Sequence, residues 1–329
     1  MLKFGITQKK QLTSANLDAF HETQFKTHHL YGLFKNRKIV AIDLYDSLND
    51  LSFTEIDELQ ERMLARFALH NGLLKYTHSQ RFNDFDQLAM RHIRTQFPNS
   101  EIRVHDLGAS DGRTSCDFYD ALTALFGERL YFLSSDYAPC LYVLKRKNSA
   151  NRLILDSNEH LLQIIVGPFV FNVVRPESVK LYPINHLIRY IAMFAYANPL
   201  LAAHKKGTPH IERRRLVLLC RKGREYINTR KNFHFKVYDV MSESTGRYDI
   251  IRAMNVLNYS YFTESELLRA IRNIFCALKN GGLFITGSNV ERSTIVNGTI
   301  YKKSNDRMEA IAMSGKGSQV DSIIVAKCN

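Results

Sequence analysis

From Glu101 onward, short apolar runs alternate with stretches that have apolar residues at helical spacing. Thr114–Phe126 is such a helix, and it lies between two β-rich runs. A strand, a helix and a second strand in that order form a βαβ unit, which predicts a parallel sheet covered by helices. The predicted parallel strands are Ile102–Leu107, Leu130–Ser134, Phe233–Val240, Tyr248–Met254 and Leu283–Gly287.

The alternation stops between about residues 141 and 210. Three strand-like runs with turn residues between them are followed there by an apolar helix over Ile184–Ala203. We interpret this segment as an insertion of β-hairpins and a helix in the sheet domain. At the end of the chain the pattern predicts three more strands and a hairpin turn over 314–318. These strands are Gly298–Lys303, Glu309–Met313 and Ser322–Ala326.

The first hundred residues have mainly helical patterns, including Phe53–Leu74 and Asp84–Phe97. No catalytic motif is visible among them. We therefore expect residues 1–100 to form a helical N-terminal cap, and residues 101–329 to form the main α/β domain with its insertion at 141–210.

Composition narrows the class of protein. The 329 residues are 45% hydrophobic, which permits a large core and argues against global disorder. The formal charge of +13 indicates an anionic partner or substrate about as strongly as it indicates simple solubility. Five cysteines without a C-x-x-C pair argue against a disulfide framework. Because the first residues lack a secretory h-region, we expect a cytoplasmic protein. We expect no transmembrane segment, because Arg189 and Asn198-Pro199 interrupt the most apolar helical candidate, Ile184–Ala203.

A glycine-rich turn, Gly108–Gly112, follows the first predicted strand and precedes a helix. Such a turn lets the backbone approach a ligand, and the adjacent helix N-terminus favours negative charge. Acidic residues stand at the ends of three predicted parallel strands, namely Asp106, Asp136 and Asp239. In a Rossmann-like site the acid after the second strand holds the ribose hydroxyls. This combination predicts an adenosine-containing cofactor at the carboxyl ends of the strands.

These residues resemble the motifs of class I S-adenosylmethionine (SAM)-dependent methyltransferases. The run Asp106–Gly112 resembles the first motif, with Ser110 where a middle glycine is common, and Asp136 and Asp239-Val240 resemble the acids of strands two and three. Tyr248–Leu257 and Leu278–Ile285 resemble strands four and five. Residues 250–287 also have a local similarity to the chemotaxis-receptor glutamate methyltransferases.

The resemblance implies a Rossmann-like, mostly parallel seven-stranded sheet and SAM as the cofactor. It implies that Asp106 binds the amino group of SAM directly or through water, that Asp136 holds the ribose and that Asp239 and the Val240 amide recognise adenine. Asn255 would lie near the methyl group and is the candidate for a catalytic contact. The implied cofactor-binding residues are Asp106, Gly108, Ala109, Ser110, Gly112, Asp136, Tyr137, Asp239, Val240 and Asn255.

Other classes share parts of this pattern. The run Gly108–Gly112 also fits the nucleophile elbow of an α/β-hydrolase with Ser110 as nucleophile, but no histidine follows His234 to complete a late triad. A nicotinamide dehydrogenase would require glycines where Ser110 and Arg113 stand. A SAM-binding protein without catalysis stays open, because the matched residues concern the cofactor.

The acceptor is indicated only by the insertion. Its apolar run Ile164–Val174 and the helix after it favour a small or lipid-like acceptor, with nucleic-acid or protein methylation as the alternative. The strand-four loop reads Ala-Met-Asn-Val, which differs from the Asn/Asp-Pro-Pro-Tyr/Phe run typical of DNA amine methyltransferases. The histidines at 28–29 and 204–210 lack metal-ligand spacing, so no metal site is expected.

Overall fold

A computed structural model describes residues 5–13, 39–48, 53–65, 67–70, 72, 75, 77–173, 183–243, 246–290 and 294–327. The chain forms two compact units. We call residues 1–76 with 140–218 the antiparallel unit, and residues 77–139 with 219–329 the parallel unit. The first hundred residues are therefore divided between the units, whereas the sequence pattern predicts a single N-terminal cap.

The helices and strands follow one another as expected for an α/β chain with an insertion. The described α-helices are α1 (Phe53–Leu64), α2 (Asn83–Gln96), α3 (Arg113–Phe126), α4 (Pro183–Ala192), α5 (Asn198–Lys205), α6 (Arg221–Thr229), α7 (Glu264–Ala277) and α8 (Asp321–Lys327). The described strands are β1 (Ile102–Leu107), β2 (Leu130–Asp136), β3 (Cys140–Arg146), β4 (Arg152–Leu155), β5 (Leu161–Val166), β6 (Phe169–Asn172), β7 (Ile211–Val217), β8 (Phe233–Val237), β9 (Tyr248–Met254), β10 (Leu278–Asn289), β11 (Val296–Ser304) and β12 (Arg307–Ser314). Short 3₁₀ turns occupy Lys9–Gln11, Ile42–Ser47 and Gly127–Arg129, and a π-helical turn, Met193–Ala197, joins α4 to α5.

The parallel unit contains a seven-stranded sheet in the order β12-β11-β10-β9-β1-β2-β8. Strands β10, β9, β1, β2 and β8 are parallel, and β11 is antiparallel to both of its neighbours. The predicted Rossmann-like, mostly parallel seven-stranded sheet is confirmed. The winding direction reverses between β1 and β9, and ligands of open α/β sheets bind beyond the carboxyl ends of the strands at such a reversal.

Helices cover both faces of this sheet, which is why its central strands are apolar. Every residue of β9 is buried. Ile250 and Met254 join a core with residues of α2, α3 and α6. Ile251 and Ala253 join the opposite core with residues of α7 and α8. Because successive side chains of β9 point to opposite faces of the sheet, this one strand contributes residues to both cores.

Helix α7 begins with a capping box. The Thr263 hydroxyl accepts the Glu266 amide, and the Glu266 carboxylate accepts the Thr263 amide at 2.8 Å. This capping box satisfies two amide groups that the first helical turn leaves without partners.

The end of the chain differs from its prediction. The hairpin joins β11 to β12 through Asn305-Asp306, and Asn305 has φ +53°, which suits a tight two-residue turn. The expected turn at 314–318 instead leads into α8, so Ser322–Ala326 is helical. Its apolar residues Ile323 and Ile324 are buried among residues of α7. An apolar run this short is ambiguous between strand and buried helix, and here packing decides.

The antiparallel unit contains a five-stranded sheet in the order β6-β5-β4-β3-β7, with every neighbouring pair antiparallel. The predicted hairpins between 141 and 173 are present. Strand β7 was not predicted, because its exposed Arg213, Arg214 and Arg215 obscure the alternation of a strand. Val174, the last residue of the predicted run, lies outside the described residues.

Helix α4 has an apolar outer face. Leu187 and Tyr190 are 59% and 60% exposed. Ile184, Ile191 and Phe194 are also exposed, whereas Ala192, Ala197 and Leu200 join the core of the unit. Within the described ranges no helix is long and apolar enough to span a bilayer. The four described cysteines, Cys116, Cys140, Cys220 and Cys276, are free thiols.

Candidate functional site

The loop between β1 and α3 has an unusual backbone. Gly108, Ser110 and Gly112 have φ values of +69°, +58° and +78°, which lie in the left-handed region. A Cβ atom at Gly108 would overlap Val256 Cγ2, and one at Gly112 would lie 2.7 Å from Leu219 Cδ1. Both glycines are therefore needed for conformation and for close approach of neighbouring side chains.

Asp136, at the end of β2, holds this loop. One carboxylate oxygen accepts the Ser110 amide at 2.7 Å, and the other accepts the Ala138 amide at 2.9 Å. The Ala109 amide donates to the Ser135 carbonyl at 2.9 Å. The next residue, Tyr137, is 40% exposed. Asp136, the residue expected to bind the ribose, therefore lies directly beside the glycine-rich turn. Both of its carboxylate oxygens already accept a hydrogen bond from a backbone amide.

Asp239 lies two residues beyond β8, beside the end of β2. The Tyr238 amide donates to the Asp136 carbonyl at 3.0 Å, so the two strand ends adjoin even though the insertion separates them in sequence. Asp239 accepts the Met241 amide at 2.9 Å, and Val240 is buried. The second and third predicted acids therefore lie at neighbouring positions on the same edge of the sheet.

Asn255, directly after β9, is joined to the end of β10. Its amide donates to the Gly287 carbonyl at 2.8 Å, and its side-chain oxygen accepts the Asn289 amide at 2.9 Å. Its side-chain nitrogen donates to Asn289 Oδ1 at 3.0 Å. Asn255 has φ +58°, a conformation that asparagine adopts more readily than most residues. The side chain bridges two strand ends at the edge where the glycine-rich turn lies.

Asp106 does not face this edge. It is 1% exposed, and its carboxylate accepts Arg252 Nη1 at 3.0 Å and Ser115 Oγ at 2.6 Å. Arg252 also donates through Nε and Nη2 to Asp86, both at 3.0 Å. Asp106 is therefore part of a buried ion network in which each carboxylate oxygen already accepts one hydrogen bond. Its contact with the cofactor amino group, directly or through water, stays a prediction.

Sequence analysis did not identify Arg252, Asp86 or Ser115. Arg252 is the largest fully buried side chain described, and its guanidinium lies 5.0 Å from the Phe82 ring centroid and 4.8 Å from that of Phe118. A lone arginine inside the apolar run of β9 was the available signal, since charged residues are seldom fully buried without partners. The pattern does not reveal which carboxylates pair with it.

Two titratable side chains near this network have shifted pKa values. Burial raises the pKa of Asp86 to about 6, although Arg252 opposes the shift. Burial lowers the pKa of His105 to about 4. The His105 ring nitrogen Nε2 lies 2.8 Å from Ser135 Oγ, so this neutral histidine belongs to the β1–β2 packing.

The comparisons with known proteins find only distant similarities to solved structures. No family model and no curated protein matches this chain. Solved structures similar to it include the cyclase SpnF, with 14% identity over 62% of this chain and 44% of that chain and a TM-score of 0.26. The CurJ carbon methyltransferase has 14% identity over 64% of this chain and 35% of that chain, with a TM-score of 0.33.

CalS10, an amino pentose methyltransferase from Micromonospora echinaspora with SAM bound, has 12% identity over 70% of this chain and 61% of that chain, with a TM-score of 0.30. This chain spans less than two thirds of each of these three structures. At this level of similarity we base the function on the geometry of the site.

The close approach at Gly108 predicts a stability difference. Gly108→Ala should destabilise the parallel unit by about 1–2 kcal/mol for its left-handed backbone and by a further 1–3 kcal/mol or so for overlap with Val256. Gly281→Ala is the matched control, because Gly281 has φ +76° and its nearest neighbour atom is 3.5 Å from the added Cβ. Urea denaturation followed by circular dichroism measures both. Equal losses would show that packing against Val256 is unimportant.

The buried ion network predicts a larger loss. Arg252→Met leaves two carboxylates without their cation, so the free energy of unfolding should fall by about 3–5 kcal/mol. Lys279→Met breaks an ion pair whose lysine is 41% exposed and should cost about 1 kcal/mol or less. The same denaturation measurement compares the two, and a similar small loss for both variants would contradict the proposed importance of Arg252.

Asp86 should make stability depend on pH. Its pKa is about 6 in the folded protein against 3.8 for an unperturbed aspartate, so the folded state binds the proton more tightly. The Asp86 contribution should be fully present below about pH 4 and lost as the pH rises through about 6. We expect the difference in unfolding free energy between wild type and Asp86→Asn to change across this window. A difference that does not change with pH would contradict the raised pKa of Asp86. The titration of His105 does not affect this difference, because both proteins contain His105.

Proposed function

We propose that this protein is a SAM-dependent methyltransferase whose cofactor binds at the carboxyl ends of β1, β2, β8 and β9. One observation carries the proposal: the Asp136 carboxylate holds the glycine-rich turn at the point where the winding of the sheet reverses. That point is where open α/β sheets bind nucleotide-like ligands. An acid at the end of the second strand suits the two hydroxyls of a ribose.

The residues at this edge fit the parts of SAM. Asp136 would hold the ribose, and Asp239 with the Val240 amide would recognise adenine. The backbone of Gly108, Ala109, Ser110 and Gly112 would border the methionine part, with Tyr137 and Asn255 beside it. Asp106 supports the turn indirectly, because its ion pair with Arg252 ties the end of β1 to β9.

SAM would supply a methyl group bound to a sulfonium sulfur, which leaves readily as a neutral thioether. The protein therefore need not activate the methyl group further. The tasks left to this chain are to hold the acceptor in line with the methyl group and to exclude water. Asn255, fixed by Asn289, is the residue we propose for contact with the reacting groups. A general base is required only if the acceptor loses a proton during transfer.

For the acceptor we propose a small or lipid-like molecule. The support is the apolar character of the insertion, taken by itself: within the antiparallel unit Leu187, Tyr190 and Ile191 of α4 are more than half exposed. Exposed apolar patches of this kind mark sites for apolar ligands or surfaces. Nucleic-acid or protein methylation is the alternative that the charge of +13 favours, and transfer of labelled methyl into a nuclease- or protease-sensitive fraction would support it.

A SAM-binding protein without catalysis has the same site and differs only in lacking methyl transfer. The hydrolase alternative requires a histidine beside Ser110. The nearest histidine in sequence, His105, is paired with Ser135. Labelling of Ser110 by a serine-directed probe would support that alternative.

Binding of SAM is the deciding measurement. By calorimetry, the wild type should bind SAM and not NAD, and Asp136→Ala should bind SAM at least about tenfold more weakly, because it loses hydrogen bonds to the ribose. Asp249→Asn is the matched control. Asp249 lies at the opposite end of β9 and pairs with Lys279, so its loss should leave SAM affinity unchanged.

Asp136→Asn separates ligand binding from loop structure. It keeps one oxygen to accept a backbone amide, so its thermal melting should remain close to that of wild type while SAM affinity still falls. Absence of SAM binding by the wild type would refute the proposal, as would unchanged binding by Asp136→Ala.

A further inference from the structure

A second group of chemically active side chains lies in the antiparallel unit, at the turn between β4 and β5. Asp156 is 4% exposed, and one of its carboxylate oxygens accepts the amides of Asn158 at 2.9 Å and His160 at 2.8 Å. The Asp156 amide donates to the His160 carbonyl at 3.1 Å. These bonds close a tight turn that fixes the carboxylate beside the His160 ring.

The other oxygen of Asp156 faces two imidazoles. His160 Nδ1 lies 2.8 Å from Oδ2, and His70 Nδ1 lies 3.5 Å from the same atom. The two rings are stacked, with centroids 4.2 Å apart and planes inclined by 16°. His70 comes from a segment far away in sequence, so the fold itself brings these three side chains together. One ligand atom from each residue lies within 4.8 Å of the others.

This spacing is close to that of a metal site. Tetrahedral zinc with bonds of about 2.0–2.1 Å holds neighbouring ligand atoms about 3.4 Å apart. The 3.5 Å separation of His70 Nδ1 from Asp156 Oδ2 matches that value. The 2.8 Å separation at His160 needs an outward movement of about 0.6 Å to reach this value. Because the two rings are stacked, one ring must also turn so that both nitrogen lone pairs point at the same ion, a movement that exposed imidazoles can make. Both imidazoles are exposed on one side, so an ion can enter.

We propose that His70, Asp156 and His160 bind one divalent transition-metal ion of the zinc class. Two imidazole nitrogens and one carboxylate oxygen form a set that zinc accepts, with water completing the coordination. The bound ion joins the segment around His70 to the β4–β5 turn and stabilises the antiparallel unit. The inference is independent of the proposed methyl transfer, since no residue is shared with the SAM site.

The arrangement also has an explanation without metal, in which Asp156 simply accepts hydrogen bonds from both imidazoles. The two explanations differ in what removal of Oδ2 does. Asp156→Asn keeps an oxygen for the Asn158 and His160 amides, so the turn persists, but it replaces the oxygen that faces the imidazoles. Only the metal-site explanation requires that this variant lose zinc binding.

The test uses the full chain after treatment with a chelator and its removal. Titration with ZnCl₂ by calorimetry should show one site per chain for wild type, and zinc should raise its melting temperature. Asp156→Asn and His70→Asn should each weaken zinc at least about tenfold. His204→Asn is the matched control, because His204 lies 3.4 Å from Glu159 of the same turn but outside the cluster, so its affinity should be unchanged.

Melting of each zinc-free variant shows whether it is folded. If the wild type binds no zinc, or if Asp156→Asn and His70→Asn bind it as tightly as wild type does, the metal site is refuted. Loss of binding only in His204→Asn would refute it too, because it would place the ion at Glu159. Failure here leaves SAM binding by the parallel unit untouched, so the two proposals are tested separately.

Discussion

The ion network around Arg252 is the interaction on which the parallel unit depends. One guanidinium on β9 is shared by Asp106 of β1 and Asp86 of α2, with no more than slight access to solvent. Strand β9 must therefore meet α2 and β1, which are distant from it in sequence, in one arrangement, since a displaced partner would leave a buried charge uncompensated. Burial raises the pKa of Asp86, and Arg252 opposes this rise more strongly than the neighbouring Asp106 carboxylate adds to it.

The same network determines where the glycine-rich turn begins, because Asp106 is nearly the last residue of β1. From there the turn is shaped by the protein itself: Val256 and Leu219 lie against its glycines, and Asp136 accepts the Ser110 amide. A ligand entering this site would meet a loop whose backbone is already ordered by internal contacts. Binding then loses little free energy to ordering the loop, which is the advantage of preorganisation.

The sequence predicted those parts of the fold that local patterns determine. The bounds of β9 were predicted as observed, because a short, mainly apolar run between turn residues is typical of a central parallel strand. The strand-end positions of Asp136 and Asn255 were predicted for the same local reasons. Strand β7 and helix α8 were missed, since exposed arginines hid the first and tertiary packing decided the second.

What escaped prediction depends on residues that meet only after folding. The partners of Arg252 are separated from it by about 150 positions, and His70 meets Asp156 across a long segment of chain. No spacing rule detects such groups in a single sequence. Asp106 illustrates the difficulty, because the sequence does not show whether an acid at a strand end faces a ligand or a buried cation.

The pairing of β3 with β7 has a consequence for how the insertion is tolerated. Cys140 lies opposite Val217 in this antiparallel ladder, so the first and last strands of the inserted segment, which in the structure spans residues 140–218, are hydrogen-bonded neighbours. The excursion leaves and rejoins the parallel sheet through two adjacent chain ends, as a short loop would. Pairing of β3 with β7 brings the two ends of this long segment together, so the entropic cost of closing it arises within the antiparallel unit. Residues can therefore be added to or removed from the middle of the inserted segment without changing the distance between its two ends, which continue into β2 on one side and α6 on the other.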